Sequence, residues 1–295
     1  MELRHLRYAL AIAEELHFTR AAAKLGIGQP PLSQQIRNLE DELGVQLFHR
    51  LSRGVELTEA GRAFMPLAQA AVQAAEQAAS AAKRAARGEI GTISIGFTSS
   101  ASFNPLVPQL IGRFRERHPD LRISLVERAT SHLLEGLLDA TLDLAFLRPA
   151  LGETEGLVCR RLPDEPLHVA LPSRHRLAGE SEIELVQLAG DPFILYPRTN
   201  GRLLYDSIIA ACRNAGFSPR IAQEAPQMAS TVNLVAAGVG VALVPESMCQ
   251  IHGHGVTYVR IAGDAPMAQL AVAHRRGGLL PPAVRNFMAS LANED

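Results

Sequence analysis

Three groups of side chains in this 295-residue chain have types and spacings that could do chemistry. The first lies in "GQPPLSQQIRNLE", where Gln29, Pro30, Pro31, Ser33, Gln34 and Arg37 share a short stretch with a regular leucine and isoleucine spacing. A glutamine amide can pair bidentately with adenine, and an arginine guanidinium with guanine or with a phosphate. The second is "FTSSASFNP", Phe97 to Pro105, where Ser99 and Ser100 follow an apolar run. Hydroxyls and main-chain N–H groups at such a turn can hold an anion, and the same residues can equally serve as plain helix caps. The third is Cys249, His252 and His254, a C-x2-H-x-H triplet in a glycine-rich loop. A zinc site usually takes four ligands, and no fourth is evident, so neither a metal nor another cofactor is expected.

These groups need elements to hold them. Leu3, Leu6, Leu10 and Ala13 fall at helical spacing and predict one buried face. Thr19 is the expected N-cap of a second helix, and Gly26 stands where that helix should stop. Pro30 and Pro31 then open a third helix, in the first turn where proline is tolerated. Leu32, Ile36, Leu39 and Leu43 make a narrow apolar stripe along it, and Pro30, Ser33, Gln34, Arg37 and Asp41 take the other side. This is the division a recognition helix requires: one side docks on preceding helices, and the leading polar side enters the major groove. The positive end of the helix also favours a phosphate near Gln29. A small helical domain with a solvated polar face would show the same division. "QLFHRLSRGVELT" reads as strand, turn at Ser52-Arg53-Gly54, strand. Arg50 and Arg53 flank that turn, where arginine can enter a narrow minor groove or simply face solvent.

Residues 59–87 read as one long helix, with 11 alanines among the 19 residues from Ala68 to Ala86. Alanine is the strongest helix former. So many small apolar residues on an isolated helix would stay wet, so a partner helix is expected. From about Gly88 onward, β-branched runs alternate with helical stretches: "GTISIGF", a helix to about His118, "LRISLVE", "SHLLEGLLDA", "LDLAFLR". A second set follows with "LHVALP", "PFILYP", a helix from about Leu203 to Asn214, "RIAQEA", "MASTVNLVAAG" and "VALVP". "AQLAVAHR" and "PPAVRNFMASLA" end the chain. Such alternation implies βαβ units, a largely parallel sheet and two α/β lobes with a cleft. "AAGVGVALVP" contains GxG but runs from helix to strand, the reverse of a dinucleotide turn. Asp139 and Asp143 straddle a helix end and read as structural.

The formal net charge is −1. Residues 1–87 hold 11 Lys/Arg against 9 Asp/Glu, and the remainder 18 against 21. The bias has the right sign for DNA at the N-terminal end, though it is small. Cys159, Cys212 and Cys249 are far apart and odd in number, which suits a reducing compartment. "MELRHLRYALAIAEELHF" does not read as a signal peptide, and no run of 18 apolar residues occurs. The expected location is cytoplasmic, with no membrane partner.

The QPPLSxQIxxLExxLGxxLF core and the LTxxG end, together with "LVAAGVGVALVP", resemble the LysR-type transcriptional regulators over the full chain. The likeness is strongest to the subgroup governing aromatic-compound catabolism, of the catechol, benzoate and muconate type. The resemblance implies an α/β chain with an N-terminal all-α winged helix-turn-helix at 1–58 and a dimerising linker helix at 59–87. It implies a two-lobed, periplasmic-binding-protein-like effector domain at 88–295. Lobe I would comprise 88–163 and 266–295, and lobe II 164–265. Carried over by position, Gln29, Pro30, Ser33 and Gln34 would face bases in double-stranded promoter DNA, and Arg53 would enter the minor groove. Many relatives in this subgroup carry arginine where this chain has Gln34; glutamine favours adenine and arginine guanine, so the resemblance does not fix the base preference at this position. The effector cleft would take Ser99, Ser100, Thr130, Arg148 and the loop carrying Pro197, Arg198, Thr199 and Asn200. Helix starts and Arg148 would suit a small carboxylate. A homotetramer built from linker-helix dimers, and contact with RNA polymerase, are implied as well.

Two other classes share the two-lobed plan. A transport-type binding protein is disfavoured by residues 1–87. An enzyme is disfavoured because no G-x-S-x-G and no Ser/His/Asp set can be assembled.

Overall fold

The computed structural model describes residues 1–52, 54–150, 152–251 and 253–291. The chain divides into two compact units, Met1–Arg84 and Ala85–Asp295.

In the first unit, α1 (Leu3–Glu15), α2 (Phe18–Leu25) and α3 (Gln29–Leu43) precede a hairpin of β1 (Phe48–Leu51) and β2 (Gly54–Leu57). The long α4 (Glu59–Ala86) follows. The buried face of α1 is Leu6, Ala9 and Ile12 rather than the predicted Leu3, Leu6, Leu10 and Ala13; Leu3 is exposed. Ala9 lets α1 approach its neighbours closely, which sets the rotation of the helix. Thr19 is not the cap of α2. His17 is, and its ring Nδ1 accepts the Thr19 N–H at 3.1 Å. Gly26 takes φ +68° at the end of α2, in the left-handed region where glycine carries no penalty. Leu32, Ile36 and Leu39 are fully enclosed with Ala9, Ile12, Ala21 and Ala22, while Leu43 is exposed past the end of the stripe.

The hairpin is fixed to α3 by Glu40, whose Oε1 accepts the N–H groups of Leu47 (2.7 Å) and Phe48 (3.1 Å). The Thr58 hydroxyl accepts the Gly61 N–H at 2.9 Å and donates to Gln46 O at 2.6 Å. A Cβ at Gly61 would stand 2.1 Å from Leu47 O, so only glycine allows α4 to start against this strand. These contacts give the LTxxG pattern its physical content. Along α4, Gly61, Met65, Ala68 and Val72 are buried. Beyond Val72 the helix is mostly exposed within the chain, with Ala71, Ala75, Ala78, Ala82 and Ala85 at alternating four- and three-residue spacing.

The second unit begins with β3 (Gly91–Phe97), the single turn α5 (Ser99–Ser102), α6 (Leu106–Arg117), β4 (Leu121–Glu127), α7 (Thr130–Leu138) and β5 (Leu144–Leu147). The 16-residue β6 (Leu157–Pro172), β7 (Glu182–Ile183), β8 (Pro192–Leu195), α8 (Arg202–Asn214), β9 (Arg220–Glu224) and α9 (Met228–Ala236) continue it. β10 (Ala242–Pro245), β11 (Val256–Ile261), β12 (Met267–Arg275) and α10 (Pro282–Leu291) close it.

The main sheet runs β4-β3-β5-β12-β6-β11-β7, with β10 also on β6, and β8 pairs β9 in parallel. The expectation of a largely parallel sheet needs correction. β3, β4 and β5 are mutually parallel, but β12 runs antiparallel to β5 and β6, and β10 and β11 antiparallel to β6. The cause is the length of β6 and β12, which serve two cores. Leu162, Leu270 and Val272 pack on one, with Ile93, Ile95, Phe146 and Phe287. Leu167, Val169 and Ala268 belong to the other, with Phe193, Ile208 and Val244. β11 and the first half of β6 were not anticipated; "CRRLPDEP" is charged and twice interrupted by proline, and its pairing with β12 makes it a strand. Asp143 accepts the Ser94 N–H at 2.7 Å and Asp139 bonds Thr141, so both acids pin turns.

Candidate functional site

α3 opens after Gly28, whose extended backbone caps it, and carries its two prolines in the first turn. Gln29, Pro30, Pro31, Gln34 and Arg37 are exposed along its leading face. Ser33 is not on that open face as predicted. It is only 6% exposed, and its hydroxyl accepts from Gln29 Nε2 at 3.0 Å. Gln34 Nε2 donates to Asn38 Oδ1, one turn on, at 2.9 Å. Arg37 has no hydrogen-bonded or ionic partner among the described residues. Arg50 lays its guanidinium over the Phe18 ring, 4.9 Å from the centroid, which ties β1 to the start of α2. Arg53 lies outside the described residues.

In the second unit a cavity of about 290 Å³ is walled by Ser99, Ser100, Thr130, Arg148 and Asn200 from the sequence-predicted set. Pro197, Arg198 and Thr199 do not line it. Arg198 instead makes a bidentate pair with Asp206, both bonds 2.7 Å, on the surface. The wall also includes Arg128, His132, Tyr196 and Gln227, none of which the sequence singled out. α7, α8 and α9 all begin at this wall, as does the single turn α5. The first N–H groups of a helix lack intrahelical partners, and the helix dipole is positive there, so the starts favour negative charge.

Arg148 was expected to supply free positive charge, and it does not. It is 2% exposed and engaged through each of its three nitrogens: Nε donates to Ser100 Oγ (3.1 Å), Nη1 to Gln269 O (2.9 Å) and Nη2 to Glu165 Oε1 (2.8 Å). A buried guanidinium without a counter-ion would be very unfavourable, and Glu165 provides one. Asn104 Nδ2 donates to the same Glu165 oxygen (3.2 Å), and the Ser247 N–H to the other (2.8 Å). Burial opposes ionisation of Glu165, but the Ser247 groups and the Arg148 charge outweigh it and hold the carboxyl below its ordinary range. Ser100 Oγ accepts from Arg148, which leaves its own O–H as a donor at the cavity wall. Thr98 caps α5 by accepting the Ala101 N–H at 3.3 Å. Tyr196 donates to Gly201 O at 3.0 Å, and burial keeps its phenol protonated well above the usual value. Arg128 is exposed at the rim, and among the described residues it has no carboxylate partner; its Nη1 donates to the Glu127 carbonyl at 3.0 Å.

No sequence signal separated Glu165 from Asp164 beside it. Its significance comes from β6 crossing beneath Arg148, a tertiary fact. In the C-x2-H-x-H loop, burial and the nearby Glu246 and Glu165 push the Cys249 thiol up to about 12. His252 lies outside the described residues, and His254 is exposed.

Residues 3–62 match the family described as bacterial regulatory helix-turn-helix protein, lysR family, and residues 86–295 match the LysR substrate binding domain. The chain is 40% identical over 276 residues to the HTH-type transcriptional regulator BudR of Raoultella terrigena, covering 94% of this chain and 95% of that one. It is 38% identical to the HTH-type transcriptional regulator AlsR of Bacillus subtilis (strain 168), covering 98% and 94%. Full-length CbnR complexed with its target DNA is similar in structure, with a TM-score of 0.85, 28% identity and 99% of each chain covered. Full-length BenM matches at a TM-score of 0.59 and 33% identity, over 100% of this chain and 97% of that one.

Proposed function

The chain belongs to the LysR family of bacterial transcriptional regulators, and from that premise we propose how its own residues divide the work. It is a DNA-binding regulator with an effector-binding domain and not an enzyme. In our reading residues 1–58 grip promoter DNA, with Gln29, Pro30, Pro31 and Gln34 toward base edges and Arg37, Arg50 and Arg53 toward phosphates or the minor groove. Ser33 acts from beneath, by holding Gln29. Residues 59–87 pair with a second copy through the alanine seam, and dimers join as tetramers. The CbnR complex with its target DNA supports the DNA reading by likeness.

The effector is a small organic acid, bound between lobe I (88–163 and 266–295) and lobe II (164–265). The observation that carries this is the cavity wall. Three helices of nine residues or more start there, Ser99, Ser100 and Thr130 line it, and the Arg128 cation offsets the neighbouring Glu127 carboxylate, so the positive character comes from the helix starts. Arg148 contributes by orienting Ser100, its charge being matched by Glu165. Effector binding shifts the population toward a more closed domain, which requires higher affinity for that form. The change passes to the DNA-binding pairs and so to polymerase access, in the cytoplasm.

Thermal unfolding of the full chain with small carboxylates, and with the matching neutral amides, tests the effector class. Stabilisation by the acids alone is expected. Stabilisation by the amides and not the acids would remove the carboxylate reading. The DNA reading is tested by footprinting across a salt series, where each neutralised phosphate contributes about 0.9 to the log–log slope. A flat response would overturn it.

A further inference from the structure

Asn38 stands outside the set expected to meet the bases, yet it is joined to the central member of that set. It lies one turn beyond Gln34 on the exposed face of α3, and its Oδ1 accepts the Gln34 Nε2–H at 2.9 Å. No other side chain of α3 holds Gln34. We propose that Asn38 is a specificity-positioning residue, which fixes the Gln34 amide so that its carbonyl and one N–H face an adenine in the major groove. The inference rests on the reading that α3 enters that groove.

The chemistry follows from the shape of a primary amide. One N–H lies beside the carbonyl and the other points away from it. Adenine presents an N6–H donor and an N7 acceptor, so it pairs with the edge that carries the oxygen and the adjacent N–H. In the proposed arrangement the bond to Asn38 uses the outward N–H, which leaves that edge free. A reversed amide would put N–H against the adenine N6–H, with no acceptor for it. Guanine presents two acceptors, O6 and N7, and the fixed oxygen of Gln34 opposes one of them. In open water a bond between two exposed amides is marginal. Against a groove floor from which water is expelled the same bond strengthens, and leaving its partner unmade becomes unfavourable. Asn38 therefore acts when the helix is docked, and Arg37, three residues after Gln34, stays free for a phosphate. Gln29 and Ser33 form a second pair of the same i, i+4 spacing, so the leading face of α3 is organised before it meets DNA.

Selection of binding sites from a randomised duplex library tests the proposal with the full-length protein, its Gln34→Ala, Asn38→Ala and Asn38→Asp variants, and no knowledge of the natural promoter. The wild type should select an adenine at one position of each half-site, and Q34A should lose it. N38A should keep the rest of the selected site and lower the adenine preference at that position by roughly three- to tenfold. N38D retains an oxygen acceptor, so it should keep the preference while its added negative charge weakens binding to all duplexes. An adenine preference in N38A equal to that of the wild type would overturn the proposal. So would a uniform loss of affinity in N38A with the preference unchanged, which marks a merely structural residue. A selected site unaltered in Q34A would overturn the groove reading of Gln34 itself, and the proposal with it.

Discussion

Removing the Glu165 carboxylate would strand Arg148 as a buried cation. Glu165→Ala should lower the unfolding free energy of the second unit by about 3–5 kcal/mol, measured by urea titration. Glu165→Gln, which keeps an acceptor oxygen, should lose less. The acid response has a defined sign. The folded carboxyl titrates below its ordinary value of 4.5, so the stability it contributes is complete above that value and drains away as pH falls through the lowered one. The stability of E165Q should therefore fall less steeply than wild type in that acid range. At the cavity rim, Arg128→Ala should weaken a carboxylate effector by up to about fivefold and leave an amide unaffected, the modest scale expected of an exposed charge. Isothermal titration would read it. Arg148 was visible in the sequence by type and place, but not its engagement with Glu165. The sequence offers Arg148 as a ligand and hides the partner that engages it, because Glu165 sits 17 positions away in a stretch whose strand character depends on β12.

Among the elements, the helices were legible because their signals are local. Proline at the head of α3, glycine after α2, and a leucine stripe of period 3.6 require no knowledge of the rest of the chain. β6 was legible only where it is apolar, from Leu167, and β11 escaped altogether. Neither strand edge exists until its antiparallel neighbours arrive. The hairpin shows how little side-chain chemistry positions an element. Glu40→Ala frees two buried N–H groups at the base of β1 and should lower the melting temperature while loosening DNA binding, with a stability loss of about 1–3 kcal/mol. Gly61→Ala should do more, since its Cβ has no room beside Leu47 O. On α4 the alternating alanines from Ala71 to Ala85 have the spacing of a coiled-coil seam, with small residues for close approach. Ala78→Glu places a charge in that seam and should raise the dimer dissociation constant tenfold or more. Light scattering across a dilution series would show it, with the helix content unchanged.

At the scale of the molecule, the charge balance becomes intelligible. A net charge of −1 gives no general attraction to DNA, so binding must come from local contacts repeated in several copies. The salt slope should accordingly fall when A78E reduces the number of copies engaged. Similarity to BudR and AlsR along nearly the whole chain places the DNA-binding helices and the cavity in one regulator, while the two units fold around separate cores.

β6 and β12 each run from one core of the second unit into the other. Two hydrogen-bonded strands make a ribbon that resists stretching and shear but yields to torsion. Their ladder slips register between Ala268 and Leu270, opposite the stretch that holds Pro163 and Pro166. Arg148 grips both strands at that weak point, through Gln269 and Glu165. The lobes are thus coupled like two wheels on a torsion bar with a set screw at its middle. In the effector reading proposed above, a ligand held by Ser100 would load this screw through Arg148, and the freedom left to the two strands is rotation.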